Sequence, residues 1–514
     1  MTIAKVTFSV VDNGLGQQNP GTGNTIVVVG VGSGGSVPVN TPLTSQQAGA
    51  FVAAGGYGPG PQLAELILSQ AGNPVVWIEA ATTSAGTNTG VMASSQNSST
   101  STSAVTLSGT PLDTMYGLLT VISGGTIGTA GIQVGVSLDA GRGTYLTANL
   151  GTANSLAITP PGTSPSRTGL TLNFGAGNLT AGDQWYWVSS EPSANDASIA
   201  SAVQQLVSLP FGETPITIYD AGCTATGSDV TSFDASMTTL FNSRRFMRRI
   251  CAARDATWGG TSTETENAWI ASIEASHLND STLRVGVSAG HYNVTSPIDQ
   301  VQYRRPASWL AAVRDAQAAI QVDLGQVSSG AVAPLTLPSQ PTWPPAITNP
   351  VAGSSDGFLY HDEVLNPGLD AARFLTLTTY VGFPGFYITS PNLMAPPGSD
   401  FNLLEHGHVI DAACLVWYLF ATQRLRSGVR VNPLTGFILE RDRQTLQYQG
   451  TQALRNILTP GNVVSDVYCT ICATDPILST QTLTARVSVI PLGLAVVINT
   501  TVTFVNPALI PAAT

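Results

Sequence analysis

Residues 24–41 read NTIVVVGVGSGGSVPVNT, an apolar run followed by Gly30, Gly32 and Gly35 at the spacing G-x-G-x-x-G. That spacing serves a dinucleotide only where the last glycine opens a helix, because the pyrophosphate has to sit on the free N–H groups of the helix start. Here the chain continues SVPVNTPL. Pro38 and Pro42 carry no backbone donor and push the residues before them toward extended conformations, so no helix begins where a phosphate would need one. The stretch reads as a buried strand followed by glycine-rich turns, and nucleotide binding is not expected.

Outward from this strand the pattern is that of an α/β domain. PGPQLAELILSQAG has Pro61 near a helix start and Gly72 past its end, and PVVWIEAA is a second buried strand. Composition changes at Thr82. From there to about Ser193 the chain is rich in Ser, Thr and Gly, and alternating runs such as GIQVGVSLDAG, GLTLNFGAG and DQWYWVS predict a β-sandwich-like insert. The parent pattern resumes at Asp196. Helices DASIASAVQQLVSL, SFDASMTTLFNS, TETENAWIASIEASHL and PASWLAAVRDAQAAI alternate with strands TPITIYDAG, FMRRICAAR and LRVGVSAG, which predicts a largely parallel sheet covered on both faces. After the proline-rich APLTLPSQPTWPPAITNP come a long helix from Asn402 to about Arg426, a helix RQTLQYQGTQALRNIL, and strand-like VVSDVYCTICA, LTARVSVIPL and LAVVINTTVTFVNPALIP. The fold class is α/β, α+β overall: a mixed sheet with helices on both faces, a β-rich insert, and a C-terminal α+β domain with extended terminal arms.

Only 10% of the 514 residues are charged, and Lys5 is the single lysine. Ordinary globular domains carry about 25%. A surface built from neutral polar and apolar groups suits contact with other protein, which points to an assembly component. The net charge of -11 argues against nucleic-acid binding. The balance is uneven: residues 1–420 carry -14, while residues 421–514 carry +3 and form the basic end. Five scattered cysteines make no disulfide framework, MTIAKVTFSVV lacks a signal-peptide core, and no apolar run is long enough for a membrane helix. A soluble protein maturing in a reducing cytosol is expected.

The candidate chemistry is thin. His361, Asp362 and Glu363, with Asp400, Glu405, His406 and His408, supply metal-ligand types, but His406 and His408 are two apart and diverge on the helix expected there, whereas in a strand they would share a face. Asp400 fits a helix N-cap. The lone Cys469-x-x-Cys472 puts its thiols on opposite faces of a strand and has no second pair. Arg244, Arg245, Arg248 and Arg249 straddle a helix end and a strand start, where structural or intersubunit pairing is expected before phosphate binding. No catalytic residue, metal ligand or cofactor site is assigned.

NTIVVVGVGSGG, GGYGPGPQLAELILSQAGNPVVWIEA, an insert, HDEVLNPGLDAARFLTLTTYVGFPGFYITSPNLMAPPGSDF, VNPLTGFILERDRQTLQYQGTQALRNIL and TARVSVIPLGLAVVINTTVTFVNPA follow one another as in the tail sheath proteins of contractile-tailed bacteriophages, which the chain resembles over nearly its whole length. The resemblance implies a non-enzymatic virion subunit. Such subunits form a helical tube around an inner tail tube, with baseplate and tail terminator proteins as further partners, and contract from a metastable state to drive the tube through the host envelope. No nucleic acid and no membrane insertion are implied. The domains expected are an N-terminal arm (1–23), a core (24–82 and 194–350), a peripheral and removable insert (83–193), a tube-facing C-terminal domain (351–499) and a C-terminal arm (500–514). The resemblance sends the arms, through Val6, Phe8, Val10, Val502, Phe504 and Val505, to a neighbour's C-terminal sheet alongside LTARVSVIPL. It makes Arg441, Arg443 and Arg455 the tube-contact candidates. Two competing classes are a tail hydrolase, which needs a metal near His361 and His406 to His408, and a receptor-binding tail protein, which would read its target through the insert.

Overall fold

In the computed structural model Thr25–Gly30 is strand β1 and Pro42–Ser45 is β2. Helix α1 (Pro59–Ala71) starts on prolines, ends on Gly72 at φ 70°, and leads into β3 (Val75–Glu79). The insert contributes β4 (Val105–Gly109), β5 (Met115–Ser123), β6 (Gln133–Ser137), β7 (Leu146–Asn149), β8 (Leu170–Phe174) and β9 (Gln184–Ser190). Then come α2 (Asp196–Gln204), β10 (Ile216–Ala225), α3 (Gly227–Asn242), β11 (Met247–Ala253), α4 (Glu266–His277) and β12 (Val285–Ser288). A hairpin, β13 (His291–Thr295) and β14 (Gln302–Pro306), precedes α5 (Ala307–Gln317). The structure describes residues 25–94, 97–139, 141, 143–159, 167–208, 216–256, 258–259, 262–333 and 361–493.

The central sheet runs β12-β11-β10-β1-β3-β2, parallel except for the antiparallel edge strand β2. β1 sits between β10 and β3, with Val28 opposite Tyr219 and Trp77. Alternation along β1 explains its unbroken apolar run. Ile26 and Val28 pack with Leu63, Ile67 and Ala312 from α1 and α5, while Val27 and Val29 pack with Ile199, Phe233 and Trp269 from α2, α3 and α4.

The three glycines serve close packing. A Cβ on Gly30 would stand 2.6 Å from the Ala221 carbonyl oxygen, one on Gly32 2.6 Å from that of Gly55, and one on Gly35 2.4 Å from that of Ala54. The short helix Ala50–Gly55 thus lies against the turn, and the Ser36 N–H donates to Ala54 O at 2.7 Å. No helix starts at Gly35, as Pro38 and Pro42 dictate.

In the insert, the strand order β7-β6-β5-β9 faces a three-stranded sheet of Ser155–Ala157, β8 and β4, and the two share one apolar cluster. Val301 and Tyr303 from the β13–β14 hairpin belong to that cluster as well.

The chain divides into two compact units, 1–425 and 426–514. Residues 361–425, grouped with the C-terminal domain in the sequence reading, pack in the first unit. Leu375 N–H donates to Val287 O at 2.9 Å and Met394 N–H to Val285 O at 2.9 Å, which seats this segment on β12. It forms the hairpin β15 (Leu377–Tyr380) and β16 (Phe383–Ile388) and the helix α6 (Leu404–Thr422). The second unit is α7 (Glu440–Leu458) against the antiparallel pair β17 (Asp466–Ile471) and β18 (Ala485–Ile490). The arm residues Val6, Phe8, Val10, Val502, Phe504 and Val505, and the proline-rich crossover from residue 334, lie outside the described residues.

Candidate functional site

The histidine and carboxylate constellation is dispersed into separate structural contacts. His361 is fully buried between two acids, its Nδ1 3.2 Å from Glu266 Oε1 and its Nε2 2.7 Å from Glu363 Oε1. Burial pulls its pKa down, but the two hydrogen-bonded carboxylates outweigh that and hold it above the ordinary histidine value. Asp362 accepts from the Thr379 hydroxyl at 2.6 Å. His408 Nε2 lies 2.8 Å from Thr217 Oγ1 on β10, while His406, on another face of α6, lies 3.2 Å from the Asp400 carbonyl oxygen. Asp400 does not cap the helix. The N-cap is Leu403, because Asp400 and Phe401 lie in a turn and the chain is extended at Leu403 before turning helical. Glu405 is 3% exposed, neither carboxylate oxygen has a hydrogen-bond partner among the described residues, and burial pushes its pKa well up. No group of three or more His, Cys, Asp or Glu among the described residues could hold a metal ion.

The arginine cluster is divided in the same way. Arg249 is fully buried against Asp220, 2.7 Å away, with its guanidinium over Phe233. Arg248 grips Asp411 of α6 through two bonds, at 2.7 and 2.8 Å. Arg244 and Arg245 donate to the carbonyls of Asn242 and Val207. Cys469 is buried on β17, and Cys472, just past it, lies 3.5 Å from the Thr474 hydroxyl. The partners Glu266, Thr217, Asp220 and Asp411 were missed by sequence reasoning, since each is brought in from a distant part of the chain by the sheet.

The feature that can do something lies in the second unit. Helix α7 is amphipathic, burying Gly450, Leu454 and Leu458. Its polar side chains also close one edge of the strand pair. Thr451 Oγ1 accepts from Cys469 N–H at 3.1 Å, Gln447 Oε1 accepts from Ile471 N–H at 3.4 Å, and Arg443 Nη1 donates to Ile471 O at 3.3 Å. Gln447 and Thr451 are one helical turn apart, a signal hidden from a search for apolar periodicity alone. Three of the outward groups of β17, the N–H of Cys469 and both groups of Ile471, are therefore occupied. In an antiparallel ladder bonded and non-bonded pairs alternate. Cys469 and Ile471 face Val487 and Ala485, so these β18 residues also direct their N–H and C=O groups away from the pair. Among the described residues no strand lies beyond β18. Its sequence ARVSVI is rich in β-formers and holds one charge, Arg486. An open edge of that kind is a template for another strand.

Of the tube-contact candidates, Arg441 is exposed, Arg443 lies on the closed β17 edge and pairs with Glu440, and Arg455 pairs with Asp466 at 2.9 Å. No helix among the described residues is long and apolar enough to cross a membrane.

Among solved structures, a sheath tail protein from Desulfitobacterium hafniense is 13% identical, with 94% of this chain and 100% of that one covered and a TM-score of 0.41. A sheath tail protein from Listeria innocua is 11% identical over 91% of this chain and 95% of that one, with a TM-score of 0.41. A subunit of the anti-feeding prophage helical sheath in its contracted state is 9% identical over 98% and 99%, with a TM-score of 0.44. No curated protein matches the sequence. The family model described as DUF2586, N-terminal domain, matches residues 3–392, and the chain belongs to that family.

Proposed function

We propose that this chain is the structural, non-catalytic subunit of a contractile tail sheath, polymerising helically around an inner tail tube and contracting to drive that tube through a host envelope. The sequence resemblance suggests the assembly, and the observation that carries the reading is the asymmetry of the strand pair: Gln447, Thr451 and Arg443 cover the outer side of β17, while among the described residues no strand lies beyond β18. Terminal arms of a neighbouring copy, through Val6, Phe8 and Val10 or Val502, Phe504 and Val505, add to β18 by backbone hydrogen bonding. Such a joint does not depend on one surface orientation, so subunits can rotate and slide while the mesh stays joined. Head-to-tail contacts of this sort build open helices. The inner tube, the baseplate and a tail terminator are the further partners. The basic C-terminal region, with Arg441 free to reach outward and Arg443 and Arg455 beside it, faces the tube, and the insert faces away from it.

Negative-stain imaging of the purified full chain tests the reading. Wide tubes are expected, and they are expected to vanish on deletion of residues 1–16 or 500–514 while the truncated protein stays folded. Tubes of normal length from either truncation would defeat the strand-exchange joint, and a compact trimer from the full chain would defeat the sheath reading itself.

A further inference from the structure

Among the described residues the insert meets the core at a neck, at a hairpin, at a charged cluster, and at Arg167, which lies over the Tyr57 ring and donates to Ile298 O at 3.4 Å. The first connection is a neck, where Thr83 N–H donates to Ser193 O at 2.9 Å and Ser193 N–H donates to Ser84 O at 2.9 Å. The second is the β13–β14 hairpin, whose base continues into the core and whose outer residues Val301 and Tyr303 are buried in the insert. Between them lies Arg305, 1% exposed. Its guanidinium donates to Asp113 Oδ2 at 2.7 Å, to Glu191 Oε2 at 3.1 Å and to Gln62 Oε1, and it packs over Trp309. Gln62 Nε2 donates in turn to Asp113 Oδ2 at 2.6 Å. Asp113 and Glu191 come from the insert; Gln62, Arg305 and Trp309 come from the core.

Beside this cluster is a cavity of about 190 Å³, with Thr114 and Glu191 on the insert side and Cys223, His291, Arg304 and Arg305 on the core side. Arg305 Nε and His291 Nδ1 are buried there without a hydrogen-bond partner among the described residues; His291 Nδ1 lies 3.4 Å from Asp255 Oδ1 without the alignment of a bond. The lining mixes these groups with Ala252, Pro306 and Trp309, and a space of that size with polar partners is large enough to admit water. Interfaces of such mixed character within a chain are ones across which bodies move relative to one another.

We propose that Arg305 is a releasable latch: when its bond to Asp113 opens, the insert shifts on the neck and the hairpin, both bodies stay folded, and the cavity opens further to solvent. The device is independent of the sheath reading. Burial pushes the Glu191 carboxyl up to about 7, with Asp113 adding to the effect and Arg305 and the Thr114 hydroxyl opposing it. The other charged and titratable groups lining the cavity are Asp220 and Cys223 of β10, Asp255 beyond β11, His291 of β13, and Arg304 of β14. A carboxylate whose pKa is raised in the closed state favours closure in acid and weakens it as pH rises through that value.

Alkylation of cysteines by N-ethylmaleimide, read residue by residue by mass spectrometry on the full chain, tests the latch. Cys223 lines the cavity and is half-buried, so it has a basal labelling rate, whereas Cys251 is fully buried in the central sheet. Asp113→Asn is expected to raise the labelling rate of Cys223 several-fold and leave Cys251 protected. Glu191→Gln is expected to slow Cys223 labelling relative to wild type at about pH 8.5 and to match it at about pH 6. If Asp113→Asn fails to fold, Arg305→Lys, which keeps the charge but loses the paired bonds, takes its place with the same expected rise in Cys223 labelling. Cys223 and Cys251 labelling in step, or Glu191→Gln indistinguishable from wild type at both pH values, would overturn the proposal.

Discussion

Replacing Val487 by proline separates the open edge of β18 from the stability of the unit that carries it. Val487 stands opposite Cys469, whose N–H is already bonded to Thr451, so the Val487 N–H is not a ladder donor within the pair. In the isolated chain the substitution removes a solvated donor and constrains φ, at a cost of about 1–2 kcal/mol. In an assembly that adds a strand to β18 it removes one backbone bond, about 1 kcal/mol net, and strands the carbonyl that would have received it, about 1–3 kcal/mol more. Each joint should weaken by about 2–4 kcal/mol, or roughly 30- to 1,000-fold at 1.4 kcal/mol per decade.

Ser488→Pro is the control. Ser488 faces Tyr468 in a bonded pair, so its loss breaks the ladder itself, at about 3 kcal/mol or more. Calorimetry should show a near-native melting transition for Val487→Pro and a collapsed one for the C-terminal unit of Ser488→Pro. Sedimentation velocity and negative stain should show folded monomers and few tubes for Val487→Pro. Tubes of wild-type length at the wild-type critical concentration would refute the open-edge reasoning. Equal destabilisation of the unit by the two prolines would refute the assignment of edges.

His361→Gln should destabilise the first unit by about 3–5 kcal/mol, because it leaves Glu266 and Glu363 buried without their cation. Since the folded pKa of His361 is raised, its contribution is full below the ordinary histidine range and fades as pH climbs through the raised value, so urea unfolding at about pH 6 and about pH 9 should show the mutational gap shrinking; a gap independent of pH rules the pairing out. Glu405→Met should stabilise the chain by about 1–3 kcal/mol, since neither oxygen of Glu405 has a partner among the described residues. The raised carboxyl pKa makes the wild type lose stability as pH rises, so the gain in melting temperature should widen toward alkaline pH, and a loss of stability at every pH would contradict the burial argument. Replacing residues 84–192 by a short linker should give an aggregating protein, because it uncovers Val301 and Tyr303 and deprives Arg305 of Asp113 and Glu191; adding Val301→Ser, Tyr303→Ser and Arg305→Gln should restore solubility in a sedimentation assay, and a soluble simple deletion would contradict this.

The helices and strands of the core were legible because each carries its own signal. The run of valines in β1 needs both faces covered, Pro61 and Gly72 bracket α1, and the Ser/Thr-rich turn at Thr82 marks where a body of different composition is inserted. The glycine spacing after β1 was legible only as an exclusion. What Gly32 and Gly35 do depends on the backbone of Ala54 and Gly55 lying within van der Waals reach, and no local pattern announces that approach. The same limit explains the domain boundary. Residues 361–425 continue smoothly toward the C-terminal region in sequence, yet Asp411 reaches Arg248 and His408 reaches Thr217, contacts between positions more than 160 residues apart. Composition also hides how the insert is completed, since a polar, small-residue segment suggests an independent body and conceals Val301 and Tyr303 of the core hairpin, which pack in its interior.

The placement of the charges bears on assembly. Arg248, Arg249, Arg304, Arg305 and Arg314 are all 8% exposed or less, and the first four of them face carboxylates inside the first unit. A chain that is only 10% charged and buries several of its arginines leaves a surface poorer in charge than its composition suggests. Surfaces of that kind neither steer partners over long distances nor repel a second copy at close range, so the selection of contacts falls to shape and to backbone hydrogen bonding. An open strand edge selects its partner in that way, reading extended backbone and alternate side chains instead of charge. On the proposed strand-exchange joint, the buried ion pairs would fix each subunit internally while backbone pairing at β18 would join one subunit to the next.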